Sequence, residues 1–424
     1  MADAPFGLYW TSPSPPLFEE PFRNRQDGTS IGQRFPFTIP TPGSPANKSL
    51  SFAVYEPISF SPGYDNRARL PYAEHFNLSI QRELTNSTVL TLAYVGTEGH
   101  RLITQMEADP GSAALCEQLN AEGATPACGP NGEQVDYAVG STTTYGTRNS
   151  LLNPNFCPGS APPFLCFGSG NTFTKLIANS IYNAGQITVE RKAKDITLLA
   201  AYTFAKSMDN SSAFGDLVNF TNPRLSRGLS STDVHHNFVA SYVWAIPFDR
   251  AFGRLPKRLT QGWQLQGITR FATGFPIQMN QGSGDTSLAG SSATDMPDLV
   301  GRIHIMNPRT SAAKTGSFSY FDQSAFAATS CNLVGSVLTG ECGTFGTANR
   351  RFFHGPGFNN TDLGMTKRIP ITEAKAFEIR GEFFNIFNHA QFNNPTGNIS
   401  NPNFGKVTSA RAPRIGQVSA KFYW

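Results

Sequence analysis

Six cysteines are the residues of this 424-residue chain whose spacing most directly implies a bond. Cys116 and Cys128, Cys157 and Cys166, and Cys331 and Cys342 fall as three close pairs, each in a stretch rich in Gly, Pro and Asn. Metal binding would want CxxC-type spacing or a nearby histidine, and neither occurs. Disulfides need only that short loops close, so pairing each cysteine with its near neighbour is the simplest of the many connectivities open to six. Local disulfides imply an oxidising compartment.

Three other constellations could carry chemistry. Glu378, Arg380 and Glu382 occupy alternate positions and so share one face of a strand. They could be an acid/base set, but a row of opposite charges on one strand face reads more simply as an ion-pair ladder on a wet wall. His235 and His236 are adjacent. On a strand, neighbours point to opposite faces, so this pair is not expected to chelate one ion. The stretch QGSGDTSLAGSSATD at 281–295 is dense in carboxylate and carbonyl oxygens that could suit calcium; its expected role is a flexible loop tip. No helix follows it to build a phosphate site. No nucleophile, base and orienting group stand out together, so neither an enzyme nor a cofactor is expected.

The elements that must position these residues are strands. Nine segments alternate apolar and polar residues: about 73–84, 87–97, 181–192, 196–207, 235–248, 261–276, 359–369, 375–388 and 412–424. Most are close to the roughly 9–11 residues with which a tilted strand crosses a bilayer. Their connections alternate in kind. TNS at 85–87, AKD at 193–195, residues 249–260 and PITEA at 370–374 are short; 98–180, 208–234, 277–358 and 389–411 are long. Structureless loops of that length are uncommon in a soluble domain. Tight turns at one end and large loops at the other are the pattern of a transmembrane barrel, and all six cysteines lie on the long-loop side.

The two faces suggest two solvents. In 261–276, Trp263, Leu265, Gly267, Phe271 and Phe275 oppose Gln264, Gln266 and Arg270; in 375–388, Phe377, Ile379, Phe383 and Phe387 oppose Glu378, Arg380 and Glu382. A soluble sandwich also alternates, but loop asymmetry and aromatic residues crowding the strand ends favour lipid outside and water inside. Sheets survive in lipid only as closed barrels, because an open edge leaves backbone groups unpaired. The polar residues Gln264, Gln266, Arg270, Glu378, Arg380 and Glu382 are therefore lumen-facing candidates for substrate contact. An odd number of strands is unusual for a complete bacterial barrel. Composition agrees: 15% charged, 12% aromatic with 34 Phe, 39 Gly and 30 Pro suit short strands and turn-rich loops. A net charge of +4 gives no footprint for nucleic acid. The opening MADAPFGLYWTSPSPP lacks a basic segment followed by an apolar one, so an export signal is expected upstream.

Several stretches resemble a known family. RLPYAEHFNLSIQRELTNSTVLTLAYVGTEGHRL at 69–102, YNAGQITVERKAKDITLLAAYTFAKSMDN at 182–210 and DVHHNFVASYVWAIPF at 233–248 are three. GWQLQGITRFATGFPI at 262–277, FEIRGEFFNIFNHAQFNNP at 377–395 and FGKVTSARAPRIGQVSAKFYW at 404–424 follow in order. Together they resemble the C-terminal barrel of TonB-dependent outer-membrane receptors, in particular the large type with a carboxypeptidase-regulatory-like N-terminal domain. The resemblance implies an all-β, antiparallel transmembrane barrel, here about nine or ten strands of a larger, 22-stranded one, with long external loops. Residues 1–70 would be a Pro/Phe-rich external loop region with a remnant strand near 6–10, and residues 71–424 the barrel part. The resemblance also implies that Val418, Ala420, Phe422 and Trp424 form a C-terminal signal read by the barrel-assembly machinery. TonB would act only through the missing N-terminal plug region. The expected partners are outer-membrane lipid and a ligand that is a siderophore, oligosaccharide, peptide or protein. The alternatives are a passive or adhesive outer-membrane barrel and a secreted β-rich carbohydrate-binding protein.

Overall fold

The computed structural model describes residues 63–65, 68–107, 110–133, 135–147, 172–282, 284–290 and 295–424. Nine long strands dominate: β1 (Tyr72–Thr85), β2 (Thr88–Glu107), β3 (Thr172–Lys192), β4 (Ile196–Asp209), β5 (His236–Ile246), β6 (Trp263–Ala272), β7 (Phe358–Pro370), β8 (Ala376–Phe384) and β9 (Ile415–Tyr423). Each pairs with its sequence neighbours in an antiparallel meander that runs from β1 at one edge to β9 at the other. Two short strands, Gly63–Tyr64 and Gly228–Leu229, attach to β3 and β4. No helix among the described residues is long and apolar enough to cross a membrane, which says nothing about crossing by strands.

Register fixes the faces, because residues opposite one another across a ladder share a side. Ile80, Leu92, Ile187, Tyr202, Phe238 and Phe271 form one continuous row across six strands. The adjacent row on the opposite side is Ser79, Ala93, Gln186, Thr203 and Asn237. At the other edge, Leu265, Met365, Gly381 and Val418 lie abreast on the apolar side, and Gln264, Thr366, Arg380 and Ser419 on the polar side. Large exposed apolar side chains, including Leu78, Ile80, Tyr94, Phe204, Trp244, Met365 and Ile379, crowd the first face. That face has no protein to cover it and is built for lipid.

Aromatic rings tile this outer face over glycines. A Cβ at Gly96 would lie 2.0 Å from the Phe76 ring, and one at Gly267 2.7 Å from the Tyr242 hydroxyl, so each glycine leaves the seat in which its neighbour's ring rests. Lys367 is a charge on the same side, in register with Trp263. Its Nζ sits 5.2 Å from the centre of that ring and donates to the carbonyls of Leu259 and Gln261. It thus snorkels to the C-terminal end of the helical turn Lys257–Thr260 in the short β5–β6 connection.

Two strands are longer than their alternation suggests. β2 and β3 have 20 and 21 residues and extend past the 87–97 and 181–192 segments read from sequence. The register slips between Gly99 and Leu102, where Arg101 adopts φ 55°. This bulge separates a membrane-spanning part from an outer arm. Beyond it Met106 and Phe173 are buried with Ile177 and Phe220 at their side, so the arm packs against loops and not lipid.

The long loops are not loose. α1 (Ala113–Ala121) starts at Ser112, whose hydroxyl accepts from Leu115 N. It packs with Tyr137, Leu288 and Cys331 in one core. A second core joins Ile277, Met279, Phe321 and Phe326 from the β6–β7 connection to Phe404 and Val407 from the β8–β9 connection. Four connections therefore fold into a cap at one end of the sheet. The flexible tip expected at 281–295 is not what the described residues of that stretch show: Gln281 is buried and bonded through its amide to Thr329, and Asp285 accepts from Ala289 N and Gly290 N of its own turn and from Asn131 N of the β2–β3 connection. The alternation of small, polar and glycine residues hid this, because the stretch is held by side-chain to backbone bonds and has no apolar period.

Among the described residues β1 and β9 do not pair with each other, so the sheet they form is an open wall with two edges. Eight antiparallel steps leave these edges running the same way. Antiparallel closure therefore needs an odd number of further strands between them.

Candidate functional site

The polar face of the wall is assembled from alternate residues of every strand. On β8, Arg380 lies 3.5 Å from both Glu378 and Glu382. Gln417 on β9 donates to Glu382 at 2.6 Å, and the Tyr423 hydroxyl donates to Glu378 at 3.4 Å. On β6, Gln264 and Gln266 stand opposite Thr366 and Gly364 of β7. Arg270 donates to Asn237 at 3.0 Å and rests its guanidinium over the Phe358 ring. These six side chains thus lie on one face, as ladder parity requires, but Arg270 sits near the outer end and the carboxylates near the inner end. A groove of about 390 Å³ interrupts the polar surface, floored by Leu199, Val243, Ile268 and Phe384, all well exposed.

A site with no sequence signal lies where the cap meets the outer rim. Arg350, 3% exposed, donates to Asp209 at 2.7 Å and to Asp216 at 3.0 Å. Arg351 also reaches Asp216 at 3.0 Å, and donates to the Leu229 carbonyl and the Ser212 hydroxyl. Burial and the neighbouring Arg350 charge pull the Arg351 pKa below its usual value, against the pull of the two aspartates. His354 pairs with buried Asp233 at 2.7 Å, and Asp233 also accepts from Ser207 N. Adjacent arginines in the β6–β7 connection so bind the end of β4 and the β4–β5 connection, more than 120 residues away in sequence. Buried charges persist only where paired, and this network ties two connections, β4–β5 and β6–β7, to the rim at the end of β4.

The histidines depart from expectation. His235 precedes β5 and escapes strand parity, so its ring stands 4.7 Å from that of His236, edge to face, and 6.2 Å from His354. His235 contacts the Ala205 carbonyl and His236 the Tyr202 hydroxyl. Among the described residues no three His, Cys, Asp or Glu side chains are placed to hold a metal ion.

Two disulfides staple the cap: Cys116–Cys128 fixes α1, and Cys331–Cys342 closes the hairpin Cys331–Val334/Val337–Gly340. The Cys157–Cys166 pair expected from sequence, and the remnant strand near 6–10, lie outside the described residues. At the far end of the molecule Val418, Ala420 and Phe422 share the apolar side of β9, and Trp424 stacks beside Phe422 at 6.3 Å.

An antiparallel wall with one greasy side, one wet side, tight turns below and folded loops above defines a membrane β-barrel. The chain belongs to the outer membrane beta barrel domain family, whose model matches residues 4–417. Its place is the bacterial outer membrane. Solved structures with a similar arrangement include the outer membrane transporter YddB from Escherichia coli, at 8% identity and a TM-score of 0.37, over 84% of this chain and 33% of that one. The ferripyoverdine receptor of the Pseudomonas aeruginosa outer membrane is similar at 11% identity and a TM-score of 0.31, over 83% of this chain and 27% of that one. The chain thus spans about a third or less of the length of these structures. No curated protein matches it.

Proposed function

We propose that the chain is the C-terminal barrel segment of a TonB-dependent outer-membrane receptor, a non-catalytic protein that captures a ligand outside the cell. The observation that carries this reading is the cap. Four external connections share two apolar cores, two disulfides and a buried ion network, so they present a fixed surface above the wall. A passive pore needs only an unobstructed mouth, whereas a receptor needs preorganised loops. The apolar groove on the wet face supports the same reading, since Leu199, Val243, Ile268 and Phe384 want cover from a plug region lying N-terminal to the barrel. In this scheme Gln264, Gln266 and Arg270 line the passage, with Glu378, Arg380 and Glu382 along its inner wall. Val418, Ala420, Phe422 and Trp424 serve the assembly machinery, and TonB supplies energy through the plug region. The ligand class is siderophore, oligosaccharide, peptide or protein.

The test is energy dependence in cells carrying the complete gene. Ligand-dependent uptake should stop when the inner membrane is de-energised or TonB is removed. Entry that continues unchanged would replace this reading with the passive barrel.

A further inference from the structure

Behind the rim network the cap encloses a cavity of about 330 Å³. This is the small end of the range for ligand pockets, which run from roughly 300 to 1,000 Å³. Leu217 and Leu225 from the β4–β5 connection face Met296 and Phe345 from the β6–β7 connection across it. Phe345 is braced edge to face by Phe220 at 5.9 Å.

The polar atoms on this wall are unusually one-sided. Among the described residues no carboxylate lines the cavity. Asn219, 3% exposed, spends its Oδ1 on Thr221 N, the Thr221 hydroxyl and Asn222 N, which fixes the amide. Its Nδ2 donates to no group among the described residues. Arg224 is held at the mouth by a turn in which Asn222 caps the Pro223–Ser226 helix, and its guanidinium has no acidic partner among the described residues. Arg350 forms part of the rear wall with its two aspartates on the far side, and its buried Nε has no acceptor. The side-chain oxygens of Ser226, Thr347 and Asn349 on this lining already accept from Asn219 N, Leu299 N and Arg350 N. The Arg224 guanidinium and the Asn219 amide nitrogen are thus the polar groups left to engage a guest, and a guanidinium with no acidic partner among the described residues asks for an anion.

We propose that this cavity binds a carboxylate borne on a compact apolar or aromatic group, with Arg224 taking the carboxylate, Asn219 donating to it, and Leu217, Leu225, Met296 and Phe345 holding the apolar body. The inference rests on the ligand-capture reading and names the chemistry of one of its contacts. Two sources supply such a group: a free small acid, and the C-terminal residue of a peptide.

The experiment is titration calorimetry on the complete protein in detergent. The probes are 3-phenylpropionate, N-acetyl-phenylalanine and, as the uncharged control, N-acetyl-phenylalaninamide. Saturable binding of the acids, at least tenfold weaker binding of the amide, and a further loss of about tenfold or more in Arg224→Gln are expected. Because Arg224 is exposed and has no acidic partner among the described residues, that variant should keep the Cys116–Cys128 and Cys331–Cys342 linkages and the wild-type melting profile. Tighter binding of N-acetyl-phenylalanine identifies a peptide end, and equal binding a free acid. No binding by either acid at millimolar concentration, equal binding of the amide, or an unchanged affinity in a folded Arg224→Gln protein would each overturn the proposal. Energy-dependent uptake is measured separately, so a failed pocket leaves the receptor reading standing, and binding without uptake removes the receptor reading alone.

Discussion

Replacing Met365 by arginine should destabilise the folded wall far more than replacing Gln266 by arginine. Met365 is 41% exposed on the apolar side of β7 and abreast of Leu265 and Gly381. It lies five residues before the inner end of the strand at Pro370. A strand rises about 3.3 Å per residue, and a tilt of about 40° reduces that to ~2.5 Å along the membrane normal. Met365 therefore sits ~13 Å above the inner interface, half way through an apolar band of about 25 Å. Arginine facing lipid at that depth costs about 2–4 kcal/mol, or a ~30- to 1,000-fold shift of the folding equilibrium. Gln266 is on the other face, opposite Gly364, with Glu382 next in the row. An arginine there stays in water and gains an acidic neighbour, so less than about 1 kcal/mol should be lost. Denaturant titration in phospholipid vesicles, read by tryptophan fluorescence, measures both. Equal losses, or a larger loss in Gln266→Arg, would refute the division of the wall into a lipid side and a lumen side.

Three more outcomes follow from the cap and the rim. Burial and the nearby Asp285 charge push the Asp295 carboxyl up to about 6. A folded pKa above the unfolded ~3.9 means that this carboxyl favours the folded cap below pH ~4 and that about 3 kcal/mol of its contribution is lost as pH rises from ~4 through 6. Amide exchange at 284–290, corrected for its intrinsic pH dependence, should therefore become faster from pH 5 to 8 in the wild type and not in Asp295→Asn. Arg350→Gln strands the buried Asp209 carboxylate and should cost about 3–5 kcal/mol of local stability; protease should then cut the β4–β5 connection, and resistance equal to wild type would show the network to be dispensable. Non-reducing peptide mapping should recover Cys116 with Cys128 and Cys331 with Cys342, whereas free thiols or crossed pairs would remove the staples.

The wall was legible in the sequence because a period of two survives wherever the two sides meet different solvents. Trp263, Leu265 and Phe271 against Gln264, Gln266 and Arg270 declare both the strand and its faces, and register then has no freedom to slip. The cap was not legible, for a physical reason. Its cores gather Ile277, Phe321 and Phe404 from distant segments, and nothing periodic marks residues that meet only in the folded state. Arg350 and Arg351 look like an ordinary basic pair until the fold brings Asp209 and Asp216 to them. The histidine pair shows the limit of parity, which holds within a strand and fails one residue outside it, at His235. The near-neighbour cysteine pairing was legible because closure of a short loop is a local matter, and two of the three pairs lie among the described residues with that connectivity.

The claim on which all else depends is orientation: cap outside the cell, tight turns within the periplasm. Lys314→Cys on the exposed helix Pro308–Thr315 of the cap and Glu373→Cys in the β7–β8 turn report on the two sides. In intact cells a membrane-impermeant maleimide should label position 314 at once and position 373 only after the outer membrane is permeabilised. Immediate labelling at 373 with protection at 314 would contradict the account.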